Sequence, residues 1–200
     1  MEKTLEEIQE ALKKVLKKKR YHHTIGVRYT AQAMAMRFGE DIEKAGYAGV
    51  LHDCAKYVSD EEMLSECRKY AVSCSEAEKK KPSLLHAKLG ACYAKEFYDV
   101  EDEQILGAIR WHTTGKPGMS NLEKIVFIAD YIEPERKMLP GMEAIRKAAF
   151  CDLDEAMYLI LKNTLNYLEE SSESEQKEVI DSYTKDAYDF YKDLRERKQD

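Results

Sequence analysis

The side chains best placed to do chemistry in this chain begin with a pair. His52 and Asp53 stand together at the end of an apolar run, Ala48-Gly49-Val50-Leu51, with Lys56 one turn further on. Consecutive residues of a helix point about 100° apart, yet both can reach one ion from a single helical edge. Lys56 follows them by three and four residues and overhangs the same spot. An ion held by nitrogen and oxygen ligands, with a cation beside it, suits a phosphate substrate.

Further candidates come into view once the helices that must carry them are drawn. A capping box, Thr4-x-x-Glu7, opens a helix over 4–19 with Leu5, Ile8, Leu12 and Val15 on its stripe. The lysines around it read as a solvated face; Arg20 is set apart by its closeness to His23. A second helix is expected over 22–38, with His23 one turn before Val27 and so facing the core, and Gly39 as its stop. A third, over 41–53, carries Ile42, Ala45 and Gly49 on a stripe that runs into His52 and Asp53.

Ser59-x-x-Glu62 caps a short helix, and 71–84 reads as a surface loop. Ser83 is expected to cap a helix with His86 in its first turn and Leu89, Cys92 and Phe97 along it. Over 101–112, Ile105, Ala108, Ile109 and His112 share one stripe, and Thr113, Thr114 and Gly115 open the loop that follows. Ser120-x-x-Glu123 caps a helix whose stripe of Leu122, Ile125, Val126 and Ala129 has Asp130 at its edge, before Glu133-Pro134 breaks it.

Pro140-Gly141 marks a turn, 152–169 a long helix, and 170–178 a Ser/Glu-rich linker. Ile180, Tyr183, Ala187, Phe190 and Leu194 then define a docked C-terminal helix, with a dimer contact as the sharper alternative. The expectation is therefore an all-α single domain.

Composition excludes several classes of function. The chain has 200 residues, 44% apolar and 35% charged, which suits one buried domain. Its net charge of −6 argues against a general nucleic-acid or anionic-membrane binder. No run approaches a bilayer span, and no signal peptide is expected before the first helix. Five cysteines, an odd number with no Cys-x-x-Cys, read as reduced thiols of a cytoplasmic protein.

Singly, each candidate has a plain structural reading: a hydrogen-bonded core histidine, or an aspartate cap. Their joint occurrence on inward stripes does not. Several buried polar groups carry a large desolvation cost unless one ion satisfies them together. Nitrogen and carboxylate ligands without sulfur suit iron, manganese, zinc or cobalt in a catalytic site more than a structural zinc site.

His23-Thr24, His52-Asp53 and Asp130 resemble the H…HD…D pattern of the HD-domain metal-dependent phosphohydrolases. The segments around Arg20, Lys56, His86, His112-Thr113-Thr114-Gly115 and Asp130-Tyr131-Ile132-Glu133-Pro134-x-Arg136 narrow the resemblance to the YqeK family. Near the C-terminus Ser182 stands where that family often has proline, while Thr184, Ala187 and Tyr188 match it.

The resemblance implies an HD-domain helical bundle, with an N-terminal helix over 1–20, the phosphohydrolase core over 21–135 and completing helices over 136–200. It implies symmetrical hydrolysis of diadenosine tetraphosphate to two ADP by a metal-activated water. His23, His52, Asp53 and Asp130 become the metal ligands. His86 and His112 become either ligands of a second ion or donors to the phosphates.

Asp53, Lys56, His86 and His112 form the implied catalytic group. Arg20, Lys56, His86, His112, Thr113, Thr114, Gly115, Asp130 and Arg136 are the candidates for holding substrate. Iron is the implied ion, with manganese or cobalt as alternatives, and a homodimer is the implied assembly. Two other readings stand beside this one: an HD-type mononucleotide phosphohydrolase, and a non-catalytic nucleotide-binding sensor.

Overall fold

The computed structural model describes residues 3–171 and 180–198, and among them every regular element is helical. In chain order these are α1 (Leu5–Val15), α2 (Lys18–Phe38), α3 (Ile42–Leu51), α4 (Asp60–Lys69) and α5 (Glu76–Lys80). A short 3-10 turn (Pro82–Leu85) leads into α6 (His86–Tyr98), α7 (Glu103–Trp111) and α8 (Asn121–Ile132). The chain closes with α9 (Met142–Ala149), α10 (Leu153–Ser171) and α11 (Ser182–Arg197). The linker expected over 170–178 lies, beyond Ser171, outside the described residues.

The core is built on α2, α3, α7 and α8, which pack against one another. Gly49 lets α3 press onto α2: a Cβ there would lie 2.9 Å from the Arg28 Cα. Helix α6 joins through α7, and α10 packs on both α8 and α11, so the C-terminal helices extend the same core. Capping boxes at Thr4, Ser59 and Ser120 start α1, α4 and α8 as their spacing predicts.

Several expectations need correction. The first helix ends at Val15, and the second begins at Lys18 instead of 22. Leu16 turns extended to bury its side chain, leaving Val15 in solvent. Ile42 and Phe97 are likewise exposed; Tyr93, not Phe97, continues the buried face of α6.

The supposed loop 71–84 holds α5, opened by a capping box at Ser75 and Glu78. Ser83 caps nothing with its side chain, because the 3-10 turn runs straight into α6. Helix α9, absent from the sequence reading, follows Gly141, whose φ of 75° lies in the left-handed region. In α11 the buried residues are Thr184, Ala187 and Tyr191, while Tyr183 and Phe190 are exposed.

Candidate functional site

Three of the four buried histidines stand where a helix ends or begins. His52 follows α3, His112 follows α7, and His86 opens α6 after the 3-10 turn. Helix ends leave backbone carbonyls without intrahelical partners. Each of these rings uses one: His52 Nδ1 lies 2.7 Å from the Gly49 carbonyl, His86 Nδ1 2.6 Å from that of Ser83, and His112 Nδ1 2.7 Å from that of Ile109. A carbonyl only accepts, so Nδ1 carries the proton and Nε2 is left with a lone pair.

His23, in the second turn of α2, has Nδ1 3.0 Å from the Glu133 carboxylate. That fixes the same tautomer by a different partner.

The freed Nε2 atoms converge. His23 Nε2 lies 3.3 Å from His52 Nε2 and 2.9 Å from Asp130 Oδ1. His52 Nε2 lies 3.4 Å from Asp53 Oδ2 and 3.7 Å from Asp130 Oδ1. The far side of Asp53 repeats the pattern, with Oδ1 3.2 Å from His86 Nε2 and 3.8 Å from His112 Nε2, and the two rings 3.1 Å apart.

Lone pairs and carboxylate oxygens thus face each other in a space where each ring is almost wholly buried. Such an arrangement repels itself unless a cation sits among the atoms. Bonds of about 2.1 Å put neighbouring ligands about 3.0–3.4 Å apart around an octahedral or tetrahedral ion, close to the separations seen. The donor set therefore fits a divalent metal, and two groups are compact enough to hold one: His23, His52 and Asp130, and His52, Asp53 and His112.

Electrostatics follow from this crowding. Burial pushes the His52 pKa down, but Asp53 and Asp130 outweigh it and the net shift is upward. Burial, with His52 and His86 as neighbouring positive charges, pushes His112 down to about 3. Burial acts to raise Asp53, yet His52 and His86 hold its carboxyl well below the usual range. Asp130 is held down in the same way by His23, His52 and Arg136.

The cationic candidates surround this centre. Arg20 Nη1 donates to Asp53 Oδ2 at 2.6 Å, and Arg136 Nε donates to the Asp130 carbonyl at 2.7 Å while its Nη2 meets the carboxylate. Both line a cavity of about 590 Å³ with His23, Lys17, Lys19 and Lys137. Lys56 Nζ lies 3.0 Å from His86 Nδ1; burial lowers its pKa, with Asp53 opposing and Arg20 assisting.

Thr113 joins the site, its hydroxyl 3.2 and 3.1 Å from the Nε2 atoms of His86 and His112. Thr114 and Gly115 are turned elsewhere. The Thr114 hydroxyl donates to the Gly115 carbonyl, and Gly115 takes a φ of 66° against Phe127 and Ala187.

Glu133 was missed as a site residue. It lies four residues after Ala129, on the stripe already traced along α8, but beside Pro134 it reads only as a helix breaker. Its side chain is buried, with Oε1 on His23 and Oε2 accepting the Glu135 N–H at 2.7 Å. A larger cavity, about 920 Å³ and walled by Tyr21, Ile25, Tyr29 and Phe150, shares Glu133 and Glu135 with the basic one.

Known proteins resemble this chain over most of its length. Residues 20–135 match the model of the HD domain family. The symmetrical bis(5'-nucleosyl)-tetraphosphatase of Bacillus subtilis is 42% identical over 163 residues, covering 82% of this chain and 87% of that one. Its counterpart in Halalkalibacterium halodurans is 43% identical over 164 residues, with the same coverage. A crystal structure from Clostridium acetobutylicum, described as a predicted HD superfamily hydrolase involved in NAD metabolism, is 35% identical. It superposes with a TM-score of 0.91 over 97% of this chain and 100% of that one.

Proposed function

This chain belongs to the HD-domain family, and we propose that it is a metal-dependent hydrolase that splits diadenosine tetraphosphate symmetrically into two ADP. The observation that carries the reading is the convergence of His23 Nε2, His52 Nε2, Asp53 Oδ2 and Asp130 Oδ1 in a buried space, with every imidazole Nδ1 already engaged. The activity named for its relatives supplies the substrate.

These four side chains would hold a divalent ion, which we take to be iron, with manganese or cobalt as substitutes. Asp53 Oδ1, His86 and His112 would hold a second. When bound, such ions polarise phosphoryl oxygens and lower the pKa of water.

The chain's own groups do the rest. Arg136 and Arg20 neutralise the site carboxylates and present their remaining N–H groups to the basic cavity, where a guanidinium can grip two phosphate oxygens. Lys56 supplies a point charge, and the Thr113 hydroxyl a donor. Attack by water on a phosphorus at the central bridge breaks that bridge, and each half leaves as ADP. Positioning and charge neutralisation provide most of the rate gain in such transfers.

The larger cavity beside Glu133 lies within the range of small-molecule sites, about 300–1,000 Å³, and its aromatic walls suit a nucleoside. A homodimer and a cytoplasmic location belong to the same proposal. Exposed Tyr183 and Phe190 on α11 support the first. No described helix is long and apolar enough to cross a membrane.

Chromatography of the products tests the reading. ADP alone from diadenosine tetraphosphate is expected. AMP with ATP would overturn symmetrical cleavage, free phosphate from a mononucleotide would favour the mononucleotidase, and binding without turnover would favour a sensor.

A further inference from the structure

We infer that Glu133 is a positioning residue: it locks the orientation and tautomer of His23, and Gly26 is glycine because that carboxylate occupies the space of its side chain. The inference rests on the metal-site reading above.

Glu133 closes α8, its own N–H reaching back to the Ala129 carbonyl at 3.0 Å. Its side chain turns inward and is 1% exposed. A buried carboxylate needs compensation. Here two partners are on hand, His23 Nδ1 at 3.0 Å and the Glu135 N–H at 2.7 Å.

Among the described residues no lysine or arginine is paired with that carboxylate, and its one ion-pair partner is His23. The negative charge is therefore balanced through the imidazole, by whatever cation the ring's far nitrogen faces. The Nδ1 atoms of the other three rings rest on carbonyls, that of His86 with Lys56 Nζ also 3.0 Å away, so His23 is the one of the four whose Nδ1 meets a carboxylate. An anionic acceptor at Nδ1 holds the ring and makes Nε2 a stronger ligand.

Two further details hold the carboxylate in place. Arg146 donates to the carbonyls of Ile132 and Glu133, each at 3.1 Å, and clamps the turn. Gly26 lies one turn after His23 on α2, and a Cβ there would come within 2.7 Å of Glu133 Oε2. One turn of α2 thus carries both the ring and the room for its partner.

The test uses the full chain and Co²⁺ alone, with affinity read by competition against a chromophoric chelator, independent of turnover. Glu133→Ala is expected to weaken Co²⁺ binding about 10–100-fold. Glu133→Gln keeps a carbonyl acceptor without the charge and should fall between it and the parent. In the Zn²⁺-loaded protein, where Nε2 is taken by the metal, histidine-ring NMR should show a hydrogen-bonded His23 Nδ1–H in the parent and the Gln variant, and that signal shifted or lost to exchange in Glu133→Ala.

Gly26→Ala should also weaken binding, yet add nothing in the Glu133→Ala background, where the atom it strikes is gone. Circular dichroism confirms that each variant is folded. A Glu133→Ala protein with parental Co²⁺ affinity and an unchanged His23 Nδ1–H signal would overturn the inference. A parent chain that binds no Co²⁺ would overturn the metal-site reading itself, and this inference with it.

Discussion

Two buried clusters of charge in this molecule solve opposite problems. Around Lys88, the Nζ meets both oxygens of Glu78 at 2.7 and 2.8 Å and the Ser73 carbonyl at 3.2 Å, while Glu78 also accepts the Ser75 N–H. Cation meets anion, and donors meet acceptors. Around Asp53 acceptors meet acceptors: four ring nitrogens and two carboxylates point at a common space. The first cluster is complete in itself and fastens α5 to α6. Arg20 and Arg136 reach the second from its rim, yet its ring nitrogens and inward carboxylate oxygens still face one another, a donor set that suits a bound cation and marks it as the candidate working part.

Breaking each cluster should therefore have different consequences. The largest effect is expected from His52→Ala or Asp53→Ala. Bound metal and hydrolysis should be lost together, turnover falling at least roughly a thousand-fold, the upper range for removing one electrostatic stabiliser. Circular dichroism should still report a folded helical chain. Full turnover in either variant would dissolve the distinction.

Lys88→Met should do the reverse. It strands the Glu78 carboxylate, and loss of one partner from a buried pair costs about 3–5 kcal/mol. Denaturant unfolding should show that loss, while metal content per folded molecule stays parental.

The smallest effect sharpens the contrast with an open network. On α10, Asp154 meets Lys124 at 2.9 Å and Lys198 at 3.1 Å. Burial acts to raise the Asp154 pKa, but the two lysines outweigh it and hold the carboxyl below its ordinary value. A depressed folded pKa means that the unfolded chain takes up the proton first as pH falls. The stabilisation is thus fully present above the ordinary carboxylate range and is lost as pH drops through the lower, folded value. Asp154→Asn should flatten that acid limb of the stability profile by less than about 1 kcal/mol, as befits a partly exposed pair. An unchanged limb would show that this network carries nothing.

The site was more legible than parts of the scaffold, and the reason is physical. Histidine and aspartate on an otherwise apolar stripe are conspicuous, so His23, His52, Asp53, His112 and Asp130 could be picked out from spacing alone. Glu133 escaped because proline follows it, and a helix end explains a glutamate too easily. Helix α9 escaped because Gly141 starts it with a left-handed backbone and no side-chain cap, leaving no cap signature. In α11 Ala187 is buried as expected, but Thr184 and Tyr191 are buried in place of their neighbours Tyr183 and Phe190. Tyr191 is buried because its hydroxyl accepts the Met119 N–H at 3.2 Å, so a residue that looks half-polar outranks the apolar Phe190.

The most direct measurement takes metal content and turnover of diadenosine tetraphosphate on the same samples, from chelator-stripped to fully loaded protein. Turnover should rise from nothing in proportion to bound divalent metal, with ADP as the sole nucleotide product at every point. Undiminished hydrolysis by the stripped chain would contradict the account.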